Sequence, residues 1–435
     1  MGKQITGKLL LESNIEKTID SKKPGVFYGY WVLTVAFLCL LLFSGCSVGV
    51  FSLFVKPLQS EFGWSRGDVM IAFSLLFAVM GLTAPFVGSL IDRFGVRGVI
   101  ATGALAAGLS FASLNVMNHL WHFYTAYTVI GLGMAALGQV PASVMVSNWF
   151  IKRRGTAIGI MSTGIGAGVL VLAPITGGYL IPNFGWRASY LALAFFISIL
   201  IPLALFVVRT KPADMGLYPD GVSDPQSIAE AQASRLATRG LSLKMALGTS
   251  AFWLIAVSFF INGFSQLGVI QNQVPHLQDI GFPLEKAATA LTGLGIGSAI
   301  GKFVFGWLCD KMPPKYACAI SFFFLITGTA IFLMVKPASS MAIIWLYAII
   351  FGLGCGGWLP TMSMLINTYF GLTSYGAIFG MITLVQSLGG AIGPPFAGYA
   401  FDILNSYHWA FIIFLALYAV GLPAILIVRH PRSLK

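Results

Sequence analysis

The chain has 435 residues, of which 57% are hydrophobic and only 9% charged, whereas soluble domains carry about 25% charged residues. A net charge of +12 could suggest a nucleic-acid partner, but the basic residues follow the loops between long apolar runs. The composition therefore excludes an ordinary soluble protein. It predicts a lipid bilayer as the surrounding medium and no nucleic acid as partner.

Apolar runs of about the 20 residues that cross a bilayer recur along the chain. We count twelve of them, and they predict an all-α integral membrane protein with twelve transmembrane helices. The predicted spans are 30–55, 68–91, 98–118, 121–147, 155–180, 187–208, 249–273, 285–309, 316–335, 340–366, 375–400 and 408–428. The residues before the first span lack the short apolar core and cleavage site of a signal peptide, so no segment is expected to be removed.

Basic residues sort to one side when the spans are threaded with both termini in the cytoplasm. Twenty lysines and arginines then face the cytoplasm, and five face outside: Lys56, Arg66, Arg187, Lys286 and Lys336. This asymmetry follows the positive-inside rule and predicts a multi-pass protein of the plasma (inner) membrane. The one basic residue left inside a span is Lys302, whereas all fourteen acidic residues fall in loops or at span ends.

An internal repeat relates the two halves of the chain. At an offset of 218, Gly88 and Asp92 meet Gly306 and Asp310, and a further set of glycines and a proline matches at an offset of 221. We therefore predict two pseudo-symmetric six-helix bundles around a central cavity. The predicted organisation is a cytoplasmic segment 1–29, a first bundle 30–208, a linker 209–248 with a short surface helix, a second bundle 249–428 and a tail 429–435.

No feature of the spans predicts catalysis. The five cysteines have no paired spacing that would indicate a disulfide framework or a zinc site. A membrane-embedded enzyme would need a deep cluster of His, Asp, Glu or Cys, which the spans lack, and no phosphate-binding loop is found. We expect no enzyme activity, no cofactor and no metal, with a non-transporting sensor as the alternative outside transport.

Two loops carry a recognisable motif. "GSLIDRFGVRG" at 88–98 resembles the loop between spans 2 and 3 of the major facilitator superfamily, and "GWLCDKM" at 306–312 resembles its second-half echo. A glycine permits close helix approach and an aspartate can favour a helix amino terminus, so a gating role is expected. The alternative is that the basic residues only set topology. The candidate gating residues are Gly88, Asp92, Arg93, Arg97, Gly306, Asp310 and Lys311.

A closer resemblance is to the monocarboxylate-transporter group and the related oxalate:formate antiporters. It rests on "YGYWV" at 28–32 and "NWFIKRRGTAIGIMSTGIGAG" at 148–168, and it extends over nearly the whole chain. The span 5 motif comprises Trp149, Phe150, Lys152, Arg153, Arg154 and Gly155. The resemblance implies a monomeric secondary transporter of a small organic anion that works by alternating access, with protons as a second partner.

Lys302 is the main candidate for substrate binding. Family members place an arginine here that binds the substrate carboxylate, and this chain has a lysine. Independently, a buried ammonium is costly and faces a water-filled cavity or a partner; with no carboxylate inside the spans, an anion from solution would serve. The alternative is that the Lys302 side chain extends along the helix and brings its amine to the cytoplasmic interface. Asp310, near that interface, is about 12 Å further along the helix.

Two departures from the family bear on the expected substrate, and one of them, a missing aspartate, counts against the proton coupling that the resemblance implies. Animal monocarboxylate carriers have an aspartate one turn before the arginine, where this chain has Ser298, and the second cation of oxalate carriers aligns with Ile382. One central positive charge suits a monoanion, so a monocarboxylate is predicted. An exchanger of carboxylates and a carrier of a neutral or amphipathic solute are the alternatives.

Further polar or aromatic side chains are predicted to line the cavity. They are Gln139, Asn262, Gln266, Gln386 and Trp358. Amides also tie helices together in membranes, and a tryptophan can simply pack, so each has a structural alternative. Gln271 and Asn272 carry the same two interpretations, and His276 is interpreted as a solvated loop histidine rather than a proton sensor.

Overall fold

The computed structural model describes residues 27–150, 154–215, 217, 241–337, 339–371 and 374–429. Within these ranges the regular structure is helical. The α-helices are α1 (Gly29–Phe43), α2 (Phe51–Phe62), α3 (Arg66–Ser113), α4 (Leu120–Leu137), α5 (Gln139–Trp149), α6 (Arg154–Pro174), α7 (Ile181–Ser198), α8 (Leu200–Phe206), α9 (Leu243–Leu247), α10 (Ser250–Asp279), α11 (Leu284–Lys311), α12 (Pro314–Leu333), α13 (Met341–Phe370), α14 (Tyr375–Leu404) and α15 (His408–Ile427). Two π-helical segments, Ser44–Val48 and Ile175–Leu180, follow α1 and α6.

Eleven helical segments of the described residues are long and apolar enough to cross a membrane. One of them, Ala157–Phe206, has 50 residues, more than twice the length of about 20 that one crossing needs. It is interrupted at Gly185, whose φ of 77° lies outside helical geometry. This segment therefore supplies predicted spans 5 and 6, and the prediction of a twelve-helix, all-α membrane protein is confirmed.

The sequence repeat is also a repeat of backbone geometry. Gly63 directly follows α2 with φ of 69°, and its counterpart Gly281 lies two residues beyond the end of α10 with φ of 98°. These left-handed conformations are readily adopted by glycine because it has no Cβ. The same sharp turn thus ends the corresponding helix of each half.

The two halves meet tightly at the end of the bundle that carries residues 63–65 and 280–283, named here the outer end. There α3 packs against α14, and α6 packs against α11. A Cβ at Gly177 in the first half would lie 2.7 Å from the Cβ of Ala288 in the second, and one at Gly67 would overlap the ring of Tyr399. Only glycine allows this approach, so the outer end is closed.

The halves diverge toward the opposite, inner end, which carries residues 93–97 and 311–313. A Cβ placed at four glycines near this end would meet no atom within 4 Å. They are Gly88, Gly159, Gly306 and Gly380, on α3, α6, α11 and α14. The helix pairs that touch at the outer end are therefore apart at the inner end.

Candidate functional site

A cavity of about 300 Å³ lies between the two halves. Its walls come from α1, α3, α4, α5 and α6 of the first half and from α10, α11, α13 and α14 of the second. The polar side chains among the lining residues are Ser44, Gln139, Gln266, Ser298, Lys302, Thr383, Gln386 and Ser387, and Trp358 also lines the cavity. Of the six predicted substrate-binding residues, five therefore share one cavity.

Lys302 lies on α11 at the junction of the halves. Its Nζ donates a hydrogen bond to the backbone carbonyl of Ser162 on α6, 3.3 Å away. Among the described residues, no carboxylate lies within 4.0 Å of this amine to form an ion pair. A carbonyl offers a dipole and not a full compensating charge, so the ammonium can still accept an anionic partner.

Gln139 reaches the cavity because the chain breaks beside it. Gly138 separates α4 from α5 with extended backbone (φ −76°, ψ −156°), and α5 begins at Gln139 with no side-chain cap. The amino end of a helix carries a partial positive charge. Half-helices that end inside a membrane direct this charge toward anionic substrates in some membrane transporters.

Asn262 stands behind the cavity wall rather than on it. It is 2% exposed, and its Oδ1 accepts a hydrogen bond from Nε2 of Gln386 at 3.3 Å. Asn262 thus orients a cavity-lining amide and does not face the cavity itself. From the sequence we predicted that both residues line the cavity. In the structure Gln386 lines it and Asn262 lies behind it.

The amides nearer the outer end connect helices. Nε2 of Gln271 donates to the carbonyl of Val48 at 3.0 Å, and Nδ2 of Asn272 donates to the carbonyl of Pro394 at 3.2 Å. These contacts match the structural alternative for both side chains. The interpretation of His276 as a solvated loop residue was wrong, because its ring lies in α10 against the rings of Phe332, Tyr407 and Phe411.

An ion cluster joins the two halves at the outer end. Arg66, which is 5% exposed, forms a bidentate ion pair with Asp279. Nη2 of Arg66 lies 2.8 Å from Oδ1 of Asp279. Lys56 binds the same carboxylate at 2.7 Å. The Arg66 guanidinium also stacks on the ring of Phe401 at 3.6 Å and donates to the hydroxyl of Tyr407 at 2.9 Å.

Asp402 adds a second connection at the same end. Its carboxylate, at the end of α14, accepts hydrogen bonds from the backbone N–H groups of Arg66 and Gly67 at 3.0 and 2.8 Å. These are the first residues of α3, so a side chain of one half caps a helix of the other. The sequence reasoning missed both connections, since it placed Lys56 and Arg66 outside without partners.

The signature-loop residues lie at the open inner end. The helix α3 runs through Asp92, whose side chain is outside the described residues, and bends at Gly95, where φ is 74°. Arg93, Arg97, Asp310 and Lys311 are exposed. The close helix approach expected at Gly88 is not present in this conformation, where both Gly88 and its counterpart Gly306 face open space.

Two of the family-like segments meet in an aromatic cluster. Trp149 is fully buried, and its ring lies 5.4 Å from that of Tyr28. Its Nε1 donates to the carbonyl of Arg209 at 2.9 Å, and Phe150 contacts Phe27 at 5.6 Å. Lys152 and Arg153 lie outside the described residues, and α6 starts at Arg154 and continues through Gly155.

The sequence profile of the Major Facilitator Superfamily matches residues 37–394. The chain belongs to this superfamily. Similar characterised proteins include monocarboxylate transporter 13 of Rattus norvegicus, 25% identical, with 94% of this chain and 91% of that protein covered. Monocarboxylate transporter 11 of Homo sapiens is 27% identical over 93% of this chain and 83% of its own length. The family resemblance of the sequence motifs is confirmed.

Solved structures of other transporters have the same fold as this chain. A bacterial homologue of the human lysosomal transporter Spinster, in an inward-facing and unoccupied conformation, superposes with a TM-score of 0.69 at 17% identity, over 94% of this chain and 95% of that one. The nucleoside transporter NupG gives a TM-score of 0.72 at 12% identity, over 92% and 99%. The protein is thus a multi-pass membrane transporter of a small solute and not an enzyme.

Proposed function

We propose that this transporter carries a small organic monoanion, most simply a monocarboxylate, whose carboxylate pairs with Lys302. The observation that carries the proposal is a single ammonium on a central cavity with no carboxylate partner among the described residues. A buried cation without a counter-ion is costly, and a substrate carboxylate removes that cost. The amino end of α5 at Gln139 lines the same cavity and favours the same sign of charge.

Alternating access is the proposed mechanism. The outer end is held closed by Arg66, Asp279 and Asp402, while the helix pairs part toward the inner end. Rocking of the halves about the cavity would part the outer contacts and bring the inner glycines together. With both termini in the cytoplasm of the plasma (inner) membrane, as the basic residues favour, this conformation faces inward.

Any proton that is symported is proposed to enter with the substrate anion rather than on a protein side chain. Among the described residues no acidic side chain lines the cavity, and His276 lies among aromatic rings at the outer end. Neither an acidic side chain at the cavity nor His276 is therefore expected to carry the proton. Symport then requires a proton that enters beside the anion, because the protonated acid would lack the charge that pairs with Lys302.

The test is counterflow in proteoliposomes loaded with unlabelled carboxylates, with and without an inward proton gradient. Uptake of labelled monocarboxylates, absent with matched amides and with dicarboxylates, supports the proposal. Stimulation by the gradient that persists in His276→Gln supports entry of the proton with the substrate anion. Equal counterflow of carboxylates and their uncharged amides would contradict the anion assignment and favour the carrier of a neutral solute.

A further inference from the structure

The wall of the central cavity differs between the two halves of the protein. Six of its eight polar side chains belong to the second half: Gln266, Ser298, Lys302, Thr383, Gln386 and Ser387. Among the described residues of the first half, Ser44 and Gln139 are the polar side chains on this wall. The second half also contributes apolar side chains, such as Leu267, Ile270, Leu291 and Leu294. A solute in the cavity therefore meets most of the polar groups on the second-half side and a more uniformly apolar surface on the first-half side.

The first-half wall is built from large apolar side chains. Phe43, Phe77, Met80, Met134 and Ile165 project from four helices onto the cavity. Phe77 is held by stacking on Phe73, with ring centroids 5.2 Å apart. Such a surface gains free energy only by contact with an apolar group, in proportion to the area that it removes from water.

One hydroxyl of the second-half wall has no hydrogen-bond partner among the described residues. It is the Oγ1 of Thr383, which is buried although Thr383 lines the cavity. A buried hydroxyl without a partner is destabilising, so a rotation of the Thr383 side chain that brings its hydroxyl to a substrate oxygen would be favoured. Together with Lys302, this places the polar end of the substrate against the second half.

The size of the cavity limits the other end of the substrate. At about 30 Å³ for each water-sized group, a volume of about 300 Å³ accommodates on the order of ten non-hydrogen atoms. Acetate or lactate would leave most of the apolar wall in contact with water only. A carboxylate that carries an aromatic ring or a branched chain fills the space.

We propose that the substrate class is a monocarboxylate with a bulky apolar body, bound with its carboxylate at the second half and its body against Phe43, Phe77, Met80 and Met134. This inference rests on the proposed function, because the carboxylate is positioned by Lys302. It makes the apolar wall of the first half the determinant of selectivity among monocarboxylates. Each additional methylene that enters such a wall contributes about tenfold or more to discrimination.

The experiment measures the affinity of the purified protein for three probes: acetate, 3-phenylpropanoate and the uncharged 3-phenylpropanamide. We expect 3-phenylpropanoate to bind at least about tenfold more tightly than acetate and also more tightly than the amide. Phe77→Ala should reduce the preference for 3-phenylpropanoate over acetate and leave the preference for carboxylate over amide. Phe86→Ala, on the same helix but 68% exposed and absent from the cavity wall, is the matched control and should change neither ratio.

The affinities of the parent protein separate the two proposals, and the variants test the role of the wall. Equal affinity for acetate and 3-phenylpropanoate, with weaker binding of the amide, overturns the inference that the substrate carries a bulky apolar group. It leaves the anion assignment intact. Equal affinity for 3-phenylpropanoate and its amide overturns the anion assignment on which the inference rests. A loss of the phenyl preference in Phe86→Ala as large as in Phe77→Ala would also overturn the role of the wall.

Discussion

Arg66 and Asp279, which are 213 residues apart in the chain, form an ion pair that joins the two halves of the transporter at its outer end. The guanidinium presents two nitrogens to the two carboxylate oxygens, a geometry that a lysine cannot reproduce. Removing one partner of a buried pair costs about 3–5 kcal/mol because the other charge is left uncompensated. This pair therefore contributes to the preference for the outer-closed conformation.

We expect Asp279→Asn to shift the protein toward outer-open conformations. Spin labels on cysteines introduced at Ser60 and Leu404, in a background without the native cysteines, would report the distance between the halves by electron paramagnetic resonance. The predicted result is a longer-distance population that the parent lacks. Glu61→Gln is the matched control, because Glu61 binds Arg187 at 2.8 Å within the first half; an equal shift in this control would refute the role of the Arg66 pair.

The cap that Asp402 provides should act in the same direction. Asp402→Ala removes the acceptor for two backbone N–H groups of α3, and loss of a helix cap costs about 0.5–2 kcal/mol. We expect a smaller widening of the same label distance than in Asp279→Asn. Ser65→Ala removes the cap that α3 receives from its own half, at the N–H of Asp68. Ser65→Ala should lower thermal stability without lengthening the distance between the two spin labels. A longer distance in this control would contradict the role of Asp402 in holding the halves together.

The glycines of α6 and of the π-helical segment that follows it should differ in sensitivity according to their position. Gly177→Ala introduces a Cβ 2.7 Å from the Cβ of Ala288, and because neither group can rotate away, the backbones of the two halves must separate. Gly159→Ala, in α6 near the inner end, meets nothing within 4 Å. We expect Gly177→Ala to widen the outer end and Gly159→Ala to leave it unchanged. Identical distance distributions for the two variants would show that the outer contact is not tight in the membrane.

The proposed topology predicts which surfaces meet an impermeant thiol reagent in intact cells. A cysteine that replaces Lys336 should react in intact cells. A cysteine that replaces Lys311, also exposed in the structure, should be labelled only after the membrane is permeabilised. The five native cysteines are buried, so the parent protein gives the background. Reaction at Lys311 in intact cells would reverse the assignment of the inner and outer ends.

The fold was largely predictable because it depends on patterns that the sequence shows directly. Apolar runs, the sorting of basic residues and paired glycines such as Gly63 and Gly281 each reflect a local physical requirement. The break at Gly185 was also signalled, since predicted spans 5 and 6 flank it. The helical crossings thus followed from composition and spacing alone.

The contacts between the halves were not predictable in the same way. Nothing in the sequence pairs Arg66 with Asp279 or Asp402, because ion pairs at this distance along the chain depend on the folded arrangement. The carbonyl of Ser162 that receives Lys302 is a backbone atom, which the residue type does not reveal. His276 was misplaced because a polar residue near a span end suggests a loop, whereas α10 continues past it to Asp279.

Lys302 is central to the proposed function, and its replacement separates an anion site from a snorkelling side chain. Lys302→Ala removes a costly cation and leaves the helix packing in place, so the protein should insert and remain folded. Lys302→Arg keeps the charge and offers two nitrogens to a carboxylate. The two variants should therefore differ in their affinity for a substrate carboxylate.

The most direct measurement is the affinity of purified parent, Lys302→Ala and Lys302→Arg proteins for the monocarboxylate that gives counterflow. We predict a loss of at least about a hundredfold in Lys302→Ala, in line with the loss of a charge-assisted hydrogen bond and its ion pair, and substantial retention in Lys302→Arg. Circular dichroism and monodispersity of each variant establish that the comparison is made on folded protein. Binding and transport of the carboxylate by Lys302→Ala at the level of the parent would contradict the assignment of Lys302 as the anion site.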